Sequence, residues 1–264
     1  MKLYKRAAAL ILTAATLLSL APPVSAEGDR VTISSAKEFY ALVQNCTRDV
    51  WSQRVTVELT ADLDLSGSDF QPIPIFQGTF HGNGHTIRGI TYDHKGSTLG
   101  LFRTLTESAV VEGLCVEGLL EPQGSASQLG LLAGENYGAI RSCSAKGTVS
   151  GQEDVGGLVG VNGETGRIEG SSSQVQISGV TNVGGIAGQN LGTLDRCINT
   201  GALNSDPDQE IPTSVGGIAG LSRGTIQSCS NSGEIGYQHL GYNMGGIVGL
   251  QSGSVLQCSN TGQV

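Results

Sequence analysis

The stretch VGGIAGQNLGTLDRCINTGAL, residues 183–203, decides the fold, because the chain repeats it with variations on either side. Its opening phrase is an apolar residue, Gly, a Gly or Leu, and a second apolar residue. That phrase occurs at 99–102, 129–132, 155–158, 183–186, 215–218 and 244–247, at spacings of 30, 26, 28, 32 and 29 residues. A fixed period in this range is the mark of a solenoid. After the phrase comes G-x-x-x-G-x-apolar: Gly134/Gly138/Ile140, Gly188/Gly192/Leu194, Gly220/Gly224/Ile226 and Gly249/Gly253/Val255, with two extra residues between Gly160 and Gly166. Then comes Cys-x-Asn-x-Gly-x-apolar: Cys197-Asn199-Gly201-Leu203, Cys229-Asn231-Gly233-Ile235 and Cys258-Asn260-Gly262-Val264. Earlier rungs are looser, with Cys143-Ala145-Gly147-Val149 and Ser171-Ser173-Val175-Ile177.

Alternation with period two makes these segments strands, and the spacing leaves no room for a crossover helix between them. The expected architecture is all-β: a parallel β-solenoid in which each rung pairs with the rungs above and below. Glycines are expected at corners that need positive φ or close backbone approach. Six cysteines in an exported chain invite a disulfide framework, but side chains at one repeat position form a column, not pairs. Cys143, Cys197, Cys229 and Cys258 are therefore read as reduced and inward-packed. Asn199, Asn231 and Asn260 are expected to stack as an amide ladder. Both columns are assigned a structural role.

The N-terminus reads as a leader. Lys2, Lys5 and Arg6 precede an apolar run at 7–21, and Val24-Ser25-Ala26 suits cleavage, so residues 1–26 are assigned as a secretory signal peptide. Losing those three basic residues takes the net charge from −8 to −11 over the remaining 238 residues. An acidic exported chain with no basic patch argues against nucleic acid and anionic membranes as partners. No further run is long enough to span a bilayer. Residues 27–66 are read as an N-terminal cap: a capping box at Ser35-Ala36-Lys37-Glu38, an amphipathic helix over about 35–45 with Phe39, Leu42 and Val43, and a first strand at 55–59. Residues 67–264 are assigned to the repeats. The last rung stops at Val264 without a cap, so the expectation is either a longer protein or an edge open to a partner.

With these motifs in hand, the chain resembles the GLUG-motif repeats of bacterial secreted and surface proteins. The resemblance rests on GGLVG, GGIAG and GGIVG with C-x-N-[TS]-G between them, and on the Phe80-His-Gly-Asn-Gly-His-Thr-Ile87 segment that follows a DLDLSG strand. It implies a right-handed parallel β-helix and an adhesin-like, cell-surface setting. It transfers no catalytic residue, and the usual acid of this segment is replaced by His81.

Chemistry is sparse. His81 and His85, with His94 nearby, lack a third ligand at a recognised spacing, so no metal is assigned. No phosphate loop, nucleophile elbow or metalloprotease helix occurs, so no cofactor is assigned. Arg141, Arg167, Arg196 and Arg223 fall at four repeat positions and Asp195 is read as standing alone, so acids and arginines are not expected to line up. One corner varies between rungs. The step is six residues from Val149 to Val155 and from Ile177 to Val183, twelve from Leu203 to Val215, and nine from Ile235 to Met244. Insertions in solenoids often mark the binding face. Asp206, Asp208 and Glu210 on one insertion, with Tyr237, His239 and Tyr242 on the next, form the candidate ligand site for a sugar; the acids are also weighed as oxygen ligands for Ca²⁺. The functional expectation is a secreted or surface scaffold or adhesion module without catalysis, with a glycan or a host or cell-surface protein as partner. The alternative is a polysaccharide lyase or glycoside hydrolase on the same fold.

Overall fold

A computed structural model describes residues 29–48, 50–204, 213–236 and 242–264; the leader assignment at 1–26 lies outside them. The described chain is a parallel β-solenoid of about seven turns with one short helix near its start. Its strands form four sheets, of nine, eight, seven and five strands, and every strand pairing is parallel. One turn visits the sheets in fixed order. Glu153–Gly156 belongs to the five-stranded sheet, Val159–Asn162 to the seven-stranded, Arg167–Glu169 to the nine-stranded and Ser172–Ser178 to the eight-stranded.

In-register pairing turns sequence periodicity into columns. In the nine-stranded sheet the middle residues of successive strands are Val57, Phe80, Val111, Ile140, Ile168, Leu194, Ile226 and Val255. All but the last are fully buried, so one apolar residue per rung contributes to a continuous core. At the N-terminal end Phe76, Phe80 and Phe102 close this core with ring centroids 5.4–6.2 Å apart.

The N-terminal region holds more strands than the sequence reading assigned. Arg30–Ile33 pairs with Thr56–Leu59 in the nine-stranded sheet, and Leu63–Asp64 opens the eight-stranded one. Residues 30–64 thus supply three strands to the stack: the expected one at 55–59, the DLDLSG strand, and the unexpected Arg30–Ile33. Arg30–Ile33 escaped notice because four residues show too little alternation to stand out. Between the first two strands lies α1, Ala36–Asn45. Ser35 caps it by accepting the Glu38 N–H at 3.4 Å, and the Glu38 carboxylate reaches back to the Ser34 N–H at 2.8 Å. That backbone bond, together with the Ser35 and Ser34 hydroxyls, holds the Glu38 carboxyl below its ordinary pKa. Phe39, Leu42 and Val43 join the solenoid core, and α1 packs on Ile73–Phe76, the terminal strand of the seven-stranded sheet.

The corners correct one expectation. Left-handed backbone recurs at two positions per turn, and glycine is rarely there. Before the cysteine column stand Gly113, Ser142, Gly170, Arg196, Ser228 and Gln257, at φ between 50° and 62°. Before the apolar phrase stand Thr98, Gln128, Asp154, Asn182, Ser214 and Asn243, at 53–60°. Such conformations cost side-chain residues about 1–3 kcal/mol and persist because pairing on both flanks over-determines them. The glycines of the repeat phrase serve close approach instead. A Cβ on Gly185 would run into the Gly217 carbonyl and the Asn199 side chain, and one on Gly217 would meet the Gly246 carbonyl and Asn231.

This contact explains the Gly-or-Leu alternation of the repeat phrase. Where the ladder position of the rung holds a polar residue, Ser173, Asn199, Asn231 or Asn260, the phrase has Gly157, Gly185, Gly217 or Gly246 against it. Where that register position holds Val116 or Ala145, the phrase carries Leu101 or Leu131, both fully buried. The narrow interior has room for an amide or for a leucine. Gly185→Ala should therefore lower stability by about 1–3 kcal/mol through overpacking, read as a reduced urea midpoint at unchanged slope.

Candidate functional site

The repeat cysteines are free thiols, and so are Cys46 and Cys115. Cys143, Cys197, Cys229 and Cys258 share one position, with Ser171 between the first two. Each donates to the carbonyl two residues before it, at 3.2–3.5 Å: Arg141, Asp195, Gln227 and Leu256. The Ser171 hydroxyl makes the same bond to Glu169 at 3.0 Å. The column thus adds a second donor to carbonyls that already accept a backbone N–H from the neighbouring rung. Burial pushes the Cys143 thiol up to about 12. Its hydrogen bond with Cys229, and then burial, hold Cys197 well above the ordinary value.

Asn199 donates to Asn231 at 2.8 Å and Asn231 to Asn260 at 2.8 Å. Each amide also clasps the glycine two residues on. Asn199 Oδ1 accepts the Gly201 N–H at 3.2 Å and Nδ2 donates to the Gly201 carbonyl at 2.9 Å, with like bonds at Asn231–Gly233. A second ladder runs along another edge. Asn136 donates to Asn162 at 2.8 Å, Asn162 to Asn190 at 2.9 Å, and Asn190 to Ser222 at 3.1 Å, all fully buried. Sequence reasoning missed it, although the residue recurs two places into G-x-x-x-G. That motif was read for its glycines alone.

The acids do line up, contrary to the sequence expectation. Glu58, His81, Glu112, Arg141, Glu169, Asp195 and Gln227 are register partners on successive strands of the nine-stranded sheet. Unequal turn lengths shift these residues in the sequence and hid the column. Each acid has its own basic partner. Glu58 pairs with Arg30 at 2.8 Å, Glu112 with His81 at 2.7 Å, Glu169 with Arg141 at 3.8 Å, and Asp195 with Arg196. Asp195 is 6% exposed, and its Oδ1 has no hydrogen-bond donor. His85 turns instead to Asp62 at 3.1 Å, so the two histidines serve different carboxylates. Among the described residues no cluster of three or more metal-ligating side chains forms.

Five of the six ligand-site residues read from sequence, Asp206, Asp208, Glu210, Tyr237 and His239, lie outside the described residues. Tyr242 opens the strand Tyr242–Gly245 and is 66% exposed. Leu203 bridges to Ile235, and Thr213 is the register partner of Tyr242. The two insertions therefore leave and rejoin the stack on adjacent rungs of one corner.

The outer face of the eight-stranded sheet carries a feature that the sequence did not suggest. Ser144–Ser150 and Ser172–Ser178 pair over seven residues, but the next strand, Ile198–Asn199, pairs over only two before Leu203 makes a single bridge to Ile177. The Asn199–Gly201 clasp takes the chain out of the sheet at this point. Two depressions flank the step. One, of about 390 Å³, is lined by Thr86, Cys115, Val116, Glu117, Ser144, Ala145, Lys146, Ser172 and Gln174. The other, of about 490 Å³, is lined by Lys146, Gly147, Thr148, Gln174, Gln176, Gly201 and Ala202. They share Lys146 and Gln174.

Residues 125–150 and 151–178 match the family model described as the GLUG motif. Halomucin of Haloquadratum walsbyi is 32% identical over 141 residues, which are 48% of this chain and 2% of that protein. A "Putative Gly-rich membrane protein" of Evansella cellulosilytica is 33% identical over 96 residues, 34% of this chain and 11% of the relative. The chain thus spans a small fraction of both relatives. The crystal structure of a "putative immunoglobulin A1 protease" from Bacteroides ovatus superposes with a TM-score of 0.65 at 21% identity, over 86% of this chain and 74% of that one; the likeness is one of fold.

If the amide ladder is held from both sides, truncation should cost most in its middle. Asn231→Ala should lower stability by about 1–3 kcal/mol, because Asn199 and Asn260 both lose a partner. Asn260→Ala should cost less, and chemical denaturation of both variants compares them.

Proposed function

We propose that this GLUG-repeat solenoid is an exported, surface-displayed module that binds or spaces other molecules and performs no catalysis. The observation that carries this reading is the contrast between inside and outside. The interior is closed by apolar columns and two amide ladders, while the outer faces hold the residues that vary from rung to rung. The relatives support it: one bears the name halomucin and the other that of a membrane protein. The basic, apolar leader at 1–26 suits export. Among the described residues no helix is long and apolar enough to cross a membrane. Antibody labelling of intact cells should detect the chain, and labelling only after lysis would overturn the display reading.

One observation favours the alternative of a polysaccharide-processing enzyme, namely the column of Glu112, Glu169 and Asp195 on successive or near-successive rungs. Glycosidic cleavage needs one carboxyl able to donate a proton and another free to act as base or nucleophile. Here each carboxylate is matched with His81, Arg141 or Arg196, which fits a structural ion ladder better. Incubation of the full chain with plant and bacterial polysaccharides should release no reducing ends. Release that is abolished by Glu169→Gln would establish the enzyme.

Within the module reading, the corner of Asp206, Asp208, Glu210, Tyr237, His239 and Tyr242 is proposed as a contact for a glycan or a host protein. The two tyrosines would stack on a sugar ring while the acids accept its hydroxyls. Tyr237→Ala with Tyr242→Ala should weaken any glycan identified on an array of sugars. Unchanged affinity places binding elsewhere.

A further inference from the structure

We infer that the stepped outer face of the eight-stranded sheet binds an acidic polysaccharide, one carboxylate-bearing sugar lying against Lys146. This deepens the module reading and rests on it. The two depressions meet at Lys146 and Gln174 and so form one trough. Thr86, Cys115, Ser144 and Ser172 line it on four successive rungs, which span about 14 Å at the spacing of paired strands. That length suits a chain of several sugar units and exceeds a single ring.

The polar side chains of the lining are unengaged. Among the described residues the side chains of Glu117, Lys146, Thr148, Gln174 and Gln176 have no hydrogen-bond or ion-pair partner. On the nine-stranded sheet, by contrast, every acid of the column has one. Lys146 offers three donors and a full charge, each Gln two donors and an acceptor, and Thr148 a hydroxyl. This inventory matches hydroxyls and carboxylates. Gly147 and Gly201 leave the floor of the larger depression without side chains, so a ring can approach the backbone.

Charge assigns the two halves. The larger depression contains one charged side chain, Lys146, and no acid, so it suits the carboxylate sugar. The smaller contains both Glu117 and Lys146 and suits the hydroxyls of a neighbouring unit, which Glu117 accepts. The chain as a whole carries net charge −8, so this attraction is local to Lys146 and falls steeply with added salt.

Titration calorimetry of the full chain at low salt tests the assignment, with polygalacturonate and its methyl ester as probes. The wild type should bind polygalacturonate, and the ester, which keeps the hydroxyls and loses the charge, should bind much more weakly. Lys146→Ala should weaken polygalacturonate binding about tenfold or more, the scale of a lost charge-assisted hydrogen bond, whereas Lys146→Arg should stay within a few fold. Gln174→Ala should weaken it several-fold. These side chains are exposed and unpartnered, so melting temperatures should match the wild type. Equal affinity in Lys146→Ala, equal affinity for acid and ester, or no binding by folded wild type would each overturn the trough. The last outcome leaves the display reading standing, because surface labelling tests that separately.

Discussion

In-register parallel pairing is the constraint on which the rest of this molecule depends. It places each residue over its repeat equivalent at about 4.8 Å, so every position becomes a column. A column of valines or isoleucines needs only burial. A column of asparagines needs each amide to find the next, as Asn199, Asn231 and Asn260 do. It also needs space across the rung, which Gly185, Gly217 and Gly246 supply. The glycine of the repeat phrase and the asparagine three strands later are thus one structural unit. The asparagine needs the glycine, because an asparagine facing Leu101 or Leu131 would find its place filled.

The same amides shape the exterior. Where the ladder position is Ala145 or Ser173, the outer strand continues for seven residues; where it is Asn199, the clasp on Gly201 ends the strand after two. A change made inside to satisfy backbone groups therefore produces a step outside. That step lies where a rung departs from its neighbours, and the polar side chains around it are left without protein partners. On the nine-stranded face, by contrast, the acids of the column each have a basic partner.

These two faces bear differently on function. A regular ion ladder stiffens the stack, although exposed pairs each contribute little. A trough with an unpaired ammonium, two free amides and a bare glycine floor keeps its hydrogen-bonding capacity for a ligand. An extended module fits a display or binding role, since it offers long faces without a closed cavity. It also accommodates variation at corners, where Leu203 to Val215 takes twelve residues while Val149 to Val155 and Ile177 to Val183 take six.

Much of the architecture was legible in the residues. The period of the Gly-rich phrase, the two-residue alternation and the capping box at Ser35–Glu38 concern neighbours in sequence or exact repeats, and local spacing carries them. The thiol column and the Asn199–Asn231–Asn260 ladder were readable for the same reason. What the sequence could not show depends on register across rungs of unequal length. Glu112, Arg141, Glu169 and Asp195 occupy one column although 29, 28 and 26 residues separate them in turn. The left-handed corners went to Arg196, Ser228 and Asn182 because pairing on both sides imposes a conformation that their side chains would not choose. The trough at Lys146 and Gln174 arises from two strands of different length lying side by side. By itself, then, the sequence determined that the chain stacks and which residues face inward, because burial and repetition are written locally. Only the tertiary structure decided which outer side chains meet, because that depends on where each turn returns to the stack.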